Sequence, residues 1–206
     1  MKSYRHLGLS LAAVLSLVVF GCTRDTDSLG PASFPKEGVV FEGGFAPGIE
    51  FQAFGDSKVD ALDVDQIERF RNLPTLRFTV PAADDPSGGY AGGAFVGRPA
   101  RDLSDYDAVT FWAKTSTSAT LQVVGMGNDN TGTSLYPAVG HPIPMSTTWT
   151  KYIFPLPLAS KLIQEAGLFQ LADNADGTRG YDLWLADIRY EKTGAIANPR
   201  PFIETR

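Results

Sequence analysis

The sequence has few residues that carry catalytic or covalent chemistry. Its 206 residues include one cysteine, Cys22, and two histidines, of which only His141 lies beyond the first 21 residues. A single thiol forms no disulfide within the chain, and a structural zinc site needs a tetrahedral set of nitrogen and sulfur ligands. His141 has no acidic neighbour in the sequence to orient it as a base, so a triad of the Ser-His-Asp type has no support.

Basic residues and long apolar runs are also scarce. Lysine and arginine number 18 against 23 aspartates and glutamates, and the formal net charge is −5. No basic cluster is present that would neutralise a row of phosphates, so nucleic acid is not expected as a partner. The only long apolar run lies near the N-terminus, which sets that segment apart from the rest of the chain.

The apolar run near the N-terminus is preceded by basic residues and followed by the cysteine. Lys2 and Arg5 precede the apolar residues 7–20, and Gly21 stands directly before Cys22. This order resembles the signal peptide of bacterial lipoproteins, which implies cleavage after residue 21 and lipidation of Cys22. The expected localisation is a bacterial membrane, the outer one, with polar residues 22–37 as a tether. A plain secretory signal with an incidental cysteine is the alternative.

Beyond residue 37 the pattern predicts strands. At least eight short alternating segments are separated by turns rich in Gly, Pro and Asp, and no long helical period intervenes. We therefore expect an all-β fold, an antiparallel β-sandwich over residues 38–192, as a monomer. Residues 193–206 are expected to form a loose C-terminal tail. One weak helical signal is Asp65 followed by Glu68, and another lies in residues 160–166.

The strongest strand signal follows the polar turn of residues 101–107. By alternation the two faces of this strand hold Val109, Phe111 and Ala113 on one side and Thr110, Trp112 and Lys114 on the other. The first face is typical of a core. The second places a tryptophan beside a lysine, and so large an aromatic side chain needs cover by another part of the protein or by a ligand. The sequence leaves both possibilities open.

Three segments, in this order, resemble a known family. They are DLSDYDAVTFWAK (residues 102–114), WTKYIFPLP (149–157) and LWLADIRYE (183–191), and LRFTVP (76–81) fits the same layout. Together they resemble the galactose-binding-like jelly-roll domains that serve as carbohydrate-binding modules, over residues 39–191. The resemblance implies a jelly roll that binds a polysaccharide or oligosaccharide without catalysis. Because such folds also serve adhesion and assembly, a module that binds an envelope protein is the alternative, and a glycosidase with a carboxylate pair is a more distant one.

The resemblance also implies a structural calcium ion, held where the first and last strands meet. The oxygen ligands to consider are Glu42, after the first strand, and Asp187, in the last. Ala186 stands where such domains often have a further acidic residue. Calcium on Glu42 and Asp187 is therefore an expectation that rests on the resemblance alone.

A sugar-binding surface needs an aromatic side chain that stacks on the C–H face of a sugar ring and polar side chains that bond its hydroxyls. The candidate ligand-binding residues are Tyr90, Arg98, Trp112, Lys114, Asn128, Asp129 and Tyr136. All of these except Tyr90 have a second interpretation. Trp112 would be covered by protein, Tyr136 would pack its own loop, the two cations would be ordinary surface charges, and residues 128–130 would form a turn.

Overall fold

The computed structural model of the chain describes Gly30 and residues 33–140, 142–156, 158–175, 179–194 and 202–205, the last of these by their backbone alone. The chain divides into two units, Met1–Ala32 and Ser33–Arg206, and every element described below belongs to the second. The predicted signal peptide and Cys22 lie outside the described residues. Within the described ranges, no helix has the length and apolar character needed to cross a membrane.

The described residues form fourteen strands and one short 3-10 turn, Ala159–Lys161. The strands are β1 (Val39–Phe41), β2 (Ile49–Ala53), β3 (Leu62–Phe70), β4 (Leu73–Val80), β5 (Ala91–Arg101), β6 (Ala108–Thr115), β7 (Ala119–Leu121), β8 (Val123–Met126), β9 (Ala138–Val139), β10 (Ile143–Met145), β11 (Thr150–Pro155), β12 (Glu165–Asp173), β13 (Tyr181–Glu191) and β14 (Phe202–Thr205).

The strands build two main sheets and a short ribbon. The seven-stranded sheet has the order β14-β11-β6-β13-β4-β3, with β1 also paired to β13, and the five-stranded sheet has the order β2-β5-β12-β8-β9. Strands β10 and β7 form the ribbon, and the pairings in all three are antiparallel. The prediction of an all-β antiparallel sandwich is confirmed.

Alternation along the strands decides which side chains fill the space between the sheets. Phe111 of β6 stacks on Tyr152 of β11 with ring centroids 5.4 Å apart, and it meets Phe169 of β12 in the opposite sheet at 5.3 Å. Phe95 of β5 extends this aromatic row, 5.6 Å from Phe169. All four side chains are fully buried. The predicted core face of the β6 strand is therefore confirmed.

The N-terminal end of the domain begins earlier than predicted. The Lys36 ammonium lies 2.7 Å from the Asp105 carboxylate, and the Tyr106 hydroxyl donates a hydrogen bond of 2.6 Å to the Lys36 carbonyl. The backbone N–H of Asp102 donates to the carbonyl of Pro35 at 2.9 Å. The last residues of the predicted tether are thus fastened to the polar turn before β6.

The C-terminal segment also differs from the prediction. Residues 193–206 do not form a loose tail throughout, because β14 pairs with β11 over four residue pairs, from Thr150↔Thr205 to Ile153↔Phe202. Without β14, strand β11 would be the edge of the seven-stranded sheet, with unpaired backbone groups. Pairing of a short terminal segment satisfies these groups, and the local composition of that segment gave no sign of it.

Candidate functional site

The outer face of the seven-stranded sheet carries two of the predicted ligand-binding residues, Trp112 and Lys114. Trp112 is only 4% exposed. The ring of Phe70 lies 4.9 Å from the ring of Trp112, and the guanidinium carbon of Arg71 lies 5.4 Å from it. The prediction of Trp112 as an open platform is therefore corrected. Protein covers this side chain, as the alternative interpretation held.

The cover over Trp112 comes from an irregular part of β3. After Asp65 the strand bulges away from β4. One oxygen of Asp65, Oδ1, accepts hydrogen bonds from the backbone N–H groups of Ile67 and Glu68, at 2.8 and 3.1 Å. The Asp65–Glu68 pattern that predicted a helical turn thus closes a β-bulge, and the bulge carries the following residues over the sheet.

Lys114 is held by contacts within the protein. Its ammonium lies 2.9 Å from a carboxylate oxygen of Glu68, and it sits 4.9 Å from the ring centroid of Trp184 and 5.7 Å from that of Trp149. The Trp184 indole N–H donates to Asp65 at 2.9 Å. Glu68 neutralises the charge of Lys114, so the Lys114 ammonium would have to break this ion pair before it could bind a ligand.

The outer face of the five-stranded sheet has small residues at its centre. Gln52, Ala94 and Gln170 form one cross-strand row, which Gly125 continues. The Asn128 amide donates to the Gln170 side-chain oxygen at 3.0 Å. This places Asn128, a predicted ligand-binding residue, on the outer face of the sheet.

The loop of residues 127–136 crosses this face. The Asn130 amide donates to the carbonyl of Ala53 at 3.3 Å, although β2 and β8 are separated by β5 and β12 in the sheet. Ala94 is 0% exposed even though its register places it on the outer side. The loop therefore covers part of this face.

Asp129 organises the loop. Its carboxylate accepts hydrogen bonds from the Thr131 N–H at 3.1 Å, the Thr131 hydroxyl at 2.7 Å and the Thr133 hydroxyl at 3.3 Å. Burial alone would raise the pKa of Asp129, but these hydrogen bonds and one involving Ser134 outweigh burial and lower the pKa below its ordinary value. Asp129 is thus ionised at neutral pH and serves first as a scaffold for the loop.

An open cleft of about 650 Å³ lies beside the loop. Among its lining residues are Asp129, Thr133, Ser134, Leu135 and Tyr136 from the loop and Lys161, Ile163, Gln164 and Glu165 from the segment that leads into β12. Tyr136 is 39% exposed. An accessible aromatic ring therefore stands beside hydroxyl, amide and carboxylate groups, in a cleft within the size range of ligand sites.

Glu165 is the most deeply placed charged group of the cleft. The residue is 5% exposed, and its Oε1 accepts a hydrogen bond from the Gly167 N–H at 2.8 Å. Burial raises the pKa of Glu165, and the negative charge of Asp129 adds to the increase. Both carboxylates of the cleft accept hydrogen bonds from the protein itself, Asp129 from Thr131 and Thr133 and Glu165 from the Gly167 N–H.

Arg98 lies in the C-terminal half of β5, whereas Tyr90 lies just before that strand begins. The Arg98 guanidinium pairs with Glu50 at 2.8 Å on the surface and is close enough to Asp129 for that charge to contribute to the raised pKa of Arg98, after the larger effect of Glu50. Tyr90 precedes β5, eight residues from Arg98, which is roughly 26 Å along a strand. The structure therefore groups Arg98, Asn128, Asp129 and Tyr136, and separates them from Tyr90, Trp112 and Lys114.

Sequence reasoning missed Gln170 and Glu165. Gln170 stands between Phe169 and Leu171, two core residues, so strict alternation along β12 was a signal that would have placed it on the outer face. Glu165 lies within residues 160–166, which were expected to be helical. Because of that expectation, the start of β12 at Glu165 was not predicted.

The predicted calcium ligands contact a guanidinium. Arg189 lies 2.8 Å from a carboxylate oxygen of Glu42, and its Nε donates to Asp187. Calcium takes six to eight oxygen ligands, and no group of three or more His, Cys, Asp and Glu suited to a metal occurs among the described residues. Glu42 and Asp187 thus belong to one ion-pair network around Arg189.

Comparison with known proteins gives structural matches only, since no family model and no curated protein matches the sequence. The family 11 carbohydrate-binding module of the cellulosomal cellulase Lic26A-Cel5E of Clostridium thermocellum is 11% identical, with a TM-score of 0.50 over 78% of this chain and 97% of that chain. A family 30 module is 18% identical, with a TM-score of 0.49 over 78% and 96%. The family 29 module CBM29_1 of Piromyces equi is 13% identical, with a TM-score of 0.45 over 74% and 87%. The first match shows that the chain shares the β-sandwich fold of such modules.

Proposed function

We propose that the protein binds a polysaccharide or oligosaccharide without catalysis, in the cleft beside the loop of residues 127–136. The observation that carries the proposal is Tyr136, an accessible aromatic side chain at the wall of a cleft of about 650 Å³. The shared fold with a family 11 carbohydrate-binding module supports it at the level of architecture.

The cleft has the two kinds of group that a sugar needs. The face of the Tyr136 ring would stack on the C–H face of a sugar ring, while Ser134 and Gln164 would exchange hydrogen bonds with its hydroxyls. Asn128 and Asp129 would hold the loop that carries Tyr136, and Arg98 would add a positive charge near Asp129. Binding would therefore depend on the loop conformation as well as on the aromatic ring.

The place of action in this proposal is the bacterial cell envelope. Its support is the resemblance of residues 1–22 to a lipoprotein signal, which would leave a lipid on Cys22 and anchor the chain, in the outer membrane by our proposal. Residues 23–32 would separate the anchor from the packed domain, which begins near Ser33. A glycan captured by the domain would thus stay close to the cell surface.

The test is affinity electrophoresis of the purified protein against a panel of polysaccharides. We expect at least one glycan to retard the wild type, and Tyr136→Ala to raise the dissociation constant about tenfold or more with an unchanged Tm, because the ring is accessible rather than packed in the core. Ile67→Ala is the matched control, since Ile67 is an exposed apolar residue on the other sheet. Retardation that survives Tyr136→Ala would move the site elsewhere.

A second candidate function is a module that binds an envelope protein. The observation in its favour is a set of exposed apolar side chains: Leu135 and Ile163 line the cleft, and Leu158 lines a neighbouring pocket together with Leu135. Exposed apolar patches often mark protein contacts. Absence of retardation by every glycan, together with retention of an envelope protein that Leu135→Ser abolishes, would favour this candidate over carbohydrate binding.

A further inference from the structure

The short first strand β1 and the long strand β13 meet beside four charged side chains, Glu42, Arg71, Asp187 and Arg189. Strand β1 pairs with β13 through Val39↔Arg189 and Phe41↔Ile188, and the register shifts between these pairs. Glu42 follows β1 directly, and Asp187 occupies a left-handed backbone position in β13, with φ of 49°. The irregular backbone brings carboxylates from both ends of the domain to one place.

The guanidinium of Arg189 joins these carboxylates. Its Nη2 lies 2.8 Å from Glu42 Oε1, and its Nε donates to Asp187 Oδ1. A second guanidinium, that of Arg71, lies 4.0 Å from the other oxygen of Asp187. The side chains of Asp187 and Arg189 are largely buried, whereas that of Glu42 is half exposed. Two negative charges thus face two positive charges with no net excess.

We propose that the Arg189 guanidinium occupies the place, at the contact between β1 and β13, where a divalent ion would otherwise bridge Glu42 and Asp187. A bridging calcium ion would have to displace the Arg189 guanidinium and would lie beside that of Arg71, so like charges oppose its entry. Because this positive charge belongs to a side chain of the protein, the contact between β1 and β13 does not require free calcium. The proposal does not depend on carbohydrate binding, because it is tested by the melting temperature Tm.

Without the guanidinium of Arg189, the stability of the domain should depend on calcium. In Arg189→Gln the Glu42 and Asp187 carboxylates would face each other without their shared donor, which lowers stability and creates a weak site for a divalent cation. Lys151→Gln is the matched control. Lys151 pairs with a single carboxylate, Glu191, at 2.8 Å on the same sheet, with similar burial.

The experiment measures the Tm of the purified wild type, Arg189→Gln and Lys151→Gln in EDTA and in 10 mM calcium, at constant ionic strength. We expect the wild type and Lys151→Gln to show no calcium response. Arg189→Gln should melt about 2–6 °C below the wild type in EDTA and recover about 2–4 °C in calcium. A calcium-dependent rise of the wild-type Tm would overturn the proposal, as would an Arg189→Gln variant that is as insensitive to calcium as the control.

Discussion

Replacement of Trp112 by alanine separates a structural role from a ligand-binding role. The side chain is 4% exposed and lies under the ring of Phe70 at 4.9 Å. Truncation of a buried tryptophan to alanine costs about 3–5 kcal/mol, since it removes apolar contacts and leaves a cavity. For a protein of this size each 1 kcal/mol corresponds to a shift of about 2–4 °C, so the Tm of Trp112→Ala should fall by roughly 6–20 °C.

The assay is urea and thermal denaturation of wild type and Trp112→Ala, followed by affinity electrophoresis under conditions where both are folded. The folded variant should keep its affinity for any glycan that the wild type binds. Phe70→Ala provides a second check, because its destabilisation should be non-additive with that of Trp112→Ala if the two rings pack together. A Trp112→Ala protein of unchanged stability that no longer binds glycan would refute the reasoning.

Two further predictions concern Glu165 and Cys22. Burial raises the pKa of Glu165 above its ordinary value of 4.5, so the folded state binds the Glu165 proton more tightly than the unfolded state. The stability that this protonation contributes is fully present below pH 4.5 and is lost as the pH rises through the folded-state pKa. Glu165→Gln should therefore be more stable than the wild type at pH 7–8 and show no such gain near pH 4, as urea denaturation across this range would reveal; an advantage that does not change with pH would exclude the linkage. Metabolic labelling with palmitate should mark the wild-type chain and not Cys22→Ala, whereas a label that persists in the variant would rule out Cys22 as the lipidated residue.

The elements that the sequence predicted well are those whose signal is local. The alternation of Val109, Phe111 and Ala113 placed one face of β6 in the core, and the turn residues between segments marked where strands end. The sandwich fold followed because many short strands without intervening helices have few ways to bury their apolar faces. Neither inference required knowledge of which strands are neighbours.

What the sequence did not predict depends on residues that are distant along the chain. Phe70, which covers Trp112, arrives through a bulge in β3 more than forty positions earlier, and Arg189 reaches Glu42 only because β1 pairs with β13. Alternation assigns a side chain to a face but does not say what lies above that face. The same limit applies to Asn130, whose bond to the Ala53 carbonyl shows that a polar loop spans a sheet.

The two outer faces of the sandwich differ in how their polar and aromatic groups are used. On the seven-stranded sheet, Lys114 and Trp184 already have Glu68 and Asp65 as partners, and a ligand would have to break those contacts before it gained any of its own. On the five-stranded side the covering element is a loop, and Tyr136 at its end keeps an accessible ring beside an open cleft. A ligand stacked on Tyr136 would use a ring that is already accessible, which is why we favour the loop over the tryptophan-rich sheet as the candidate for recognition.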